Sequence, residues 1–193
     1  MSNLLESLAI YFGPLEDVES NEIVARFKPF ELGKGDFFAR QGQRSHQMAF
    51  VESGLLRMYA QTDQKEITQW IASPGYFVMD LSSFVFQQPA RLHIQALNDC
   101  RLLVISQADY LQLGEVMPRW HAIEKRFLIK CFAFLEERVF VHLSLSAEER
   151  YEHFFATHKE LFNQVPLHYL ASMLGMTPET FSRIRNKQLA QKS

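Results

Sequence analysis

From about Phe27 to Ser106 apolar and polar positions exchange in short runs, at Gln47–Val51, Leu55–Ala60, Glu66–Ile71, Leu92–Leu97 and Leu102–Ile105. Gly33-Lys34-Gly35-Asp36, Gly42, Gly54 and Ser73-Pro74-Gly75 interrupt the runs every 10 to 20 residues or so, as chain reversals in an antiparallel barrel or roll require. In Leu92-His93-Ile94-Gln95-Ala96 one side chain in two is apolar, so one face of that strand is expected to look inward. An all-β unit is predicted here.

After Pro118 the pattern changes to about 25 residues without Gly or Pro. Apolar side chains recur there at three- and four-residue steps, at Ile123, Phe127, Leu128, Cys131, Phe134, Leu135 and Val139, with His142 in the same series. This predicts a helix of about seven turns. A second apolar set at Phe132, Phe140 and Val141 widens the stripe beyond one face, so the helix needs two partners. One face is expected to pack on the β-unit. The other is expected to meet a second copy of the chain in a two-fold dimer, with Ile123, Phe127, Cys131, Phe134 and Leu135 as the dimer-helix candidates.

Ser146-Ala147-Glu148-Glu149 reads as a capping box that opens a new helix, which puts a domain boundary at Leu143 to Leu145. Helical segments follow at Glu148–Thr157, Pro166–Leu174 and Pro178 to about Leu189. Leu170, Leu174, Met176, Phe181 and Ile184 are spaced to share a small core, with Ala171 small where two helices cross. Gly175 supplies a left-handed turn at low cost, and Thr177-Pro178 restarts the chain as N-cap and first helical residue. Together these make a helix-turn-helix pattern.

On the outer face of the second of these helices Glu179 and Arg183 project side by side, next to Ser182. Glu accepts from a cytosine amino group and Arg donates two bonds to guanine. The competing reading is a surface i to i+4 ion pair, worth only about 0.3 to 0.5 kcal/mol.

Charge first argues against DNA: 20 basic and 22 acidic residues leave a net charge of −2. Its distribution reverses the argument. From Pro166 onward Arg183, Arg185, Lys187 and Lys192 stand against Glu179 alone, a charge of +3 that leaves −5 on the remaining 165 residues. An acidic body with a small basic head confines nucleic-acid contact to the C-terminal end. Two distant cysteines, Cys100 and Cys131, form neither a disulfide framework nor the thiolate set of an iron-sulfur cluster, and point to a reduced, cytoplasmic setting. No signal peptide or membrane span is evident. Without an HxH pair in the β-unit, a GxSxG elbow or a phosphate loop, neither a metal site nor an enzyme is expected. The lone histidines His46, His93 and His121 suit surface or structural roles better than haem ligation.

The chain resembles the Crp/Fnr family of bacterial transcription regulators. The likeness is carried by Gly33-Lys34-Gly35-Asp36, Arg40-Gln41-Gly42, Val51-Glu52-Ser53-Gly54 and Pro74-Gly75-Tyr76-Phe77 in the roll, and by Glu179-Thr180-Phe181-Ser182-Arg183 in the recognition helix. It implies an α+β chain in three parts: an N-terminal antiparallel β-roll of the double-stranded β-helix or jelly-roll type (1–117), a long dimerisation helix (118–143) and a C-terminal helix-turn-helix domain (144–193). It also implies a homodimer reading a palindromic operator in double-stranded DNA, with Glu179, Ser182 and Arg183 at bases and Thr177, Thr180, Arg185 and Lys187 at phosphates. RNA polymerase and a small-molecule effector are further partners it suggests.

Cyclic-nucleotide-binding members carry a Gly-Glu-Leu and then an Arg-Ser or Arg-Thr pair that clamps the phosphate. Here Met79-Asp80-Leu81 stands at the first and Ala90 at the Arg position. Arg91 follows one residue late, where strand alternation turns it to the other face. Cyclic AMP binding is therefore not expected. Two readings stand side by side. In one, Tyr76, Asp80, Ser82, Arg91 and Gln95 line an effector pocket of changed specificity; in the other, Asp80 caps a short helix and Arg91 is a solvated edge residue. Phe77, Phe84 or Phe86 filling the pocket would favour a regulator without ligand. An alternative function is a β-roll ligand-sensing or protein-interaction module with weak or lost DNA binding, because the chain ends about four residues past Leu189, where longer members continue into a wing.

Overall fold

The structure, a computed structural model, describes residues 2–191. Lys192, counted above among the basic residues, lies outside them. The chain forms two compact units, one of the described residues up to Glu66 with Trp70–Phe132, the other of Ile67–Gln69 with the chain from Ala133 onward.

Eight strands lie among the described residues, all within the first unit except the Ile67–Gln69 stretch of β5: β1 (Lys28–Leu32), β2 (Phe37–Ala39), β3 (Gln47–Ser53), β4 (Leu56–Gln61), β5 (Glu66–Ala72), β6 (Phe77–Val78), β7 (His93–Ala96) and β8 (Cys100–Ser106). They form two four-stranded sheets, ordered β1-β8-β3-β6 and β2-β7-β4-β5. The pairs β1 with β8, β3 with β8, β3 with β6, β2 with β7 and β4 with β7 are antiparallel. This is the predicted roll, and its strands begin and end close to the predicted limits of Phe27 and Ser106.

The two central strands of the first sheet, β3 and β8, are buried on both faces. Strand alternation sends Ala49, Val51, Leu102 and Val104 into the roll interior, where they meet Leu56, Ile94 and Ala96 of the second sheet. The residues between them, Met48, Phe50, Leu103 and Ile105, face a second core built with helices. Hence β3 and β8 carry near-continuous apolar runs rather than alternating ones.

Four helices belong to this unit, three of them not among the predicted elements and one the short helix that one reading has Asp80 cap. α1 (Ser2–Phe12), α2 (Asp17–Ala25) and α4 (Gln107–Val116) pack on the outer core, while α3 (Leu81–Phe86) follows β6. α1 presents Leu4, Leu8 and Phe12 four residues apart, all at most 1% exposed. α2 opens with a reciprocal pair of hydrogen bonds between Glu16 and Glu19.

The predicted long helix is α5 (Trp120–Ser144), 25 residues. Ile123 and Phe127 are each 1% exposed in the core of their own chain, and Cys131 packs partly against the same core. Phe127 stacks on Phe12 with ring centroids 4.6 Å apart. Ile123 and Phe127 are therefore core residues of their own chain and not free for a dimer contact, because the α1 rings already occupy that side of α5, whereas Cys131 is half-buried. Phe134 and Leu135 are exposed, as a dimer face would need.

The second unit adds α6 (Ala147–Thr157), α7 (Leu161–Gln164), α8 (Leu167–Met173) and α9 (Pro178–Gln191). α6 starts at the predicted capping box: the Ser146 hydroxyl accepts from Glu149 N–H at 3.3 Å, and the Glu149 carboxylate accepts from Ser146 N–H at 2.8 Å. Tyr151, Phe154, Phe162, Leu170, Leu174, Phe181 and Ile184 form its buried core, while Met176 is half-buried. α7 was not predicted, being a single turn.

Candidate functional site

The turn between α8 and α9 is set by backbone chemistry. Gly175 has φ +67°, in the left-handed region where a Cβ is strained. Met176 N–H reaches back to Ala171 O at 3.0 Å and Gly175 N–H to Ser172 O at 3.1 Å, the paired pattern that ends a helix through a left-handed glycine. Thr177 Oγ1 then accepts from Thr180 N–H at 3.2 Å and caps α9.

Two side chains not predicted for this role satisfy the carbonyls that α8 leaves open. Arg150 donates to Leu174 O at 2.9 Å and, through its other nitrogens, to Leu145 O at 2.7 Å and Gly175 O at 3.5 Å. His142 brings Nε2 to 3.3 Å from Met173 O. His142 had entered the reading above only as part of the apolar stripe. The turn is thus held by α5 and α6 as well as by its own bonds.

α9 buries Phe181 and Ile184 and presents Glu179, Ser182 and Arg183 on its exposed side. Asn186 is exposed on the same face, three residues after Arg183 and seven after Glu179. The helical period alone would have identified it. Glu179 is held below the usual carboxylate range by its own backbone N–H and by the Thr177 hydroxyl, so it stays an acceptor.

The phosphate candidates divide. Thr177 is exposed and Thr180 half-buried beside it. Arg185 lies on the edge of the helix and lines a groove with Tyr151, Phe155 and Gln188. Lys187 is engaged with Glu148 at 2.7 Å. The last two are therefore less available to phosphate than their sequence positions suggested.

None of the effector candidates of the roll lines the cleft along β2 or the groove beside α9. Asp80 is 3% exposed and fully engaged: it accepts from Ser83 N–H at 3.0 Å, capping α3, and from Arg91 N–H at 2.8 Å and Leu92 N–H at 3.1 Å. Arg91 is exposed. Ser82 is half-buried in the first turn of α3. Gln95 lies between the inward Ile94 and Ala96, so the pleat turns it outward, where its amide donates to Gly35 O at 2.9 Å. Tyr76 packs on Trp70 at the margin of the interior core. Asp80 thus caps α3 and holds the backbone of Arg91 and Leu92, while the Arg91 side chain lies at the surface. Nor do the phenylalanines fill the roll interior. Phe77 and Phe84 belong to the helix-side core, and Phe86 is 67% exposed.

Beyond the buried turns of α5, Leu128, Phe132, Leu135 and Val139 are all exposed. Their spacing of four, three and four is that of a coiled-coil seam. Of the five dimer-helix candidates only Leu135 lies on this seam, and Ile129, Phe134, Phe140 and Leu143 are exposed elsewhere on the same helix.

Residues 29–115 match the cyclic nucleotide-binding domain family. No curated protein matches the chain in sequence. Among solved structures the chain is similar to the c-di-GMP-responsive global regulator CLP of Xanthomonas campestris, with TM-score 0.70, 18% identity, and coverage of 92% of this chain and 93% of that one. It is similar to FixK2 of Bradyrhizobium japonicum, with TM-score 0.71 and 15% identity over 86% of each chain. Against the catabolite activator protein of Thermus thermophilus the TM-score is 0.57 at 22% identity, covering 96% of this chain and 88% of the other. The stretch from β1 into α4 thus matches the cyclic nucleotide-binding domain family, and the likeness to these three regulators shows that the chain shares their fold.

Proposed function

We propose that the protein is a dimeric, sequence-specific DNA-binding transcription regulator of the Crp/Fnr type, acting in the cytoplasm, with an effector specificity that departs from cyclic AMP. The observation that carries this reading is the exposed face of α9, where Glu179, Ser182, Arg183 and Asn186 project together behind a capped, glycine-closed turn. Side chains of this kind on one helix face match the edges of G·C and A·T pairs in a major groove. Two such helices related by a dimer axis would read half-sites about 34 Å apart. The open seam Leu128–Phe132–Leu135–Val139 supports that dimer.

The test is fluorescence anisotropy with DNA from upstream of the protein's own gene, against scrambled DNA of the same length. Arg183→Ala is expected to weaken specific binding by about 1 to 3 kcal/mol per half-site. A variant that discriminates the two DNAs as well as the parent would overturn the assignment.

A second reading, a β-roll sensing or interaction module with weak DNA binding, is favoured by one observation. Lys187 is paired with Glu148 and Arg185 faces the aromatic groove, which withdraws two phosphate contacts. Binding indifferent to both sequence and salt would select it.

A further inference from the structure

The interior position where a cyclic nucleotide-binding domain would place an acid for its ligand is occupied here by a carboxylate spent on three backbone N–H groups, yet the same unit carries an open cationic site elsewhere. A cleft of about 440 Å³ lies along β2 and the loop that leads from it to β3, lined by Phe37, Arg40, Gln43, Arg44, His46 and Ser106 among others. Two guanidinium groups and an imidazole line it, and no carboxylate does. Neither Arg40 nor Arg44 pairs with a carboxylate among the described residues. The acid bonded to a lining residue, Asp109, accepts from the Ser106 hydroxyl at 2.7 Å.

The loop is preorganised. Gly42 N–H donates to Ala90 O and Ala90 N–H to Gln43 O, each at 2.8 Å, and Ser45 N–H donates to Ser83 Oγ at 2.7 Å. Gln41 N–H donates to His93 Nδ1 at 3.2 Å. The Arg40 guanidinium rests 3.7 Å above the centre of the Phe37 ring, which restrains its long side chain and leaves its N–H edge to make in-plane bonds. Two like charges four residues apart on a fixed loop repel one another, and a doubly charged anion between them relieves that repulsion while taking charge-assisted hydrogen bonds. Polar groups at Gln43, Ser45 and Gln47 supply further bonds, and the volume admits a nucleotide-sized ligand.

We infer that this cleft binds a dianionic phosphate group, as free phosphate or as the terminal group of a phosphate monoester, outside the interior of the roll. The monoanionic phosphodiester of a cyclic nucleotide is the poorer ligand, having one charge to set against two guanidinium groups. The inference uses residues of the roll alone and none of the DNA-facing candidates, so failure of the anisotropy test above leaves it standing, and its own failure leaves the DNA reading standing.

Isothermal titration of the full chain with inorganic phosphate, 5′-AMP and cyclic AMP tests it. Phosphate and 5′-AMP are expected to bind, with cyclic AMP weaker than 5′-AMP. Equal affinity for the first two identifies free phosphate as the ligand, and tighter 5′-AMP identifies a nucleotide. Arg40→Gln/Arg44→Gln is expected to lose about tenfold or more in affinity for both, while Arg91→Gln binds as the parent does. Circular dichroism of the variants checks that they are folded. The inference is overturned if neither phosphate nor 5′-AMP binds, if the double variant binds them unchanged, or if Arg91→Gln abolishes binding.

Discussion

The Asp80 carboxylate accepts the backbone N–H of Arg91 at 2.8 Å, so the acid and the arginine meet through the backbone and not through their side chains. The same carboxylate caps α3 at Ser83 and holds Leu92 N–H. Asp80 is therefore a structural acid at the head of the α3 segment, and the Arg91 guanidinium is left at the surface.

Asp80→Ala leaves three N–H groups without their acceptor and is expected to lower the unfolding free energy by about 2 to 4 kcal/mol. Urea denaturation followed by circular dichroism measures it. A loss below about 1 kcal/mol would mean that water takes over the role of the carboxylate.

The two faces of α5 separate by mutation. Phe127→Ala removes a ring stacked on Phe12 and is expected to cost about 3 to 5 kcal/mol of stability without changing the oligomeric state. Leu128→Asp/Leu135→Asp places charges in the open seam and is expected to give folded monomers in sedimentation velocity. Dimers that survive the second change would move the interface off this seam.

If α9 enters DNA as proposed, Glu148 competes with phosphate for Lys187. Glu148→Gln breaks the 2.7 Å pair, removes a negative charge and frees the ammonium for phosphate. The slope of log affinity against log salt is expected to steepen by about one for each subunit that engages DNA. An unchanged slope would show that Lys187 does not reach the backbone.

Acid should weaken the fold in two stages. Burial, and next the Arg40 guanidinium, hold His93 below its ordinary value of 6.5, and burial does the same for His158, stacked on Phe154. The unfolded chain then binds protons that the folded one refuses, so this stabilisation is present above the ordinary value and is lost as pH falls below it. Glu149 is lowered from 4.5 by its bonds to Ser146, and its contribution fades further down, as pH falls through the folded value. His93→Phe/His158→Phe is expected to flatten the upper stage alone in thermal melts between about pH 7 and pH 5. Persistence of that stage in the double variant would assign it to other groups.

The strands were legible because their boundaries coincide with Gly and Pro turns, and the C-terminal helices because Ser146, Thr177 and Gly175 each act within three to five residues of themselves. α1 was not. Leu4, Leu8 and Phe12 make a short stripe whose meaning depends on Trp120 and Phe127, more than a hundred residues away. α2 escaped notice because its box uses Glu16 in place of a hydroxyl or a short acid. Asn186 was legible by helical period and went unread because its neighbours carried the charge.

The sequence by itself determined the roll, the length of α5, the capped start of α6 and the glycine turn before α9. The cap of α6 and the glycine turn rest on hydrogen bonds and steric limits among near neighbours, and the roll and α5 were legible from their turn residues and apolar period, although the strand pairings themselves join distant residues such as Lys28 and Val104. Only the tertiary structure decided which apolar residues of α5 belong to their own core, that Asp80 is spent on the backbone, that Arg150 and His142 close the turn, and that Lys187 is held by Glu148. Those outcomes depend on which distant groups the fold brings within reach of a limited set of partners. A stripe of apolar side chains or a lone carboxylate has the same sequence signature whichever partner it finds.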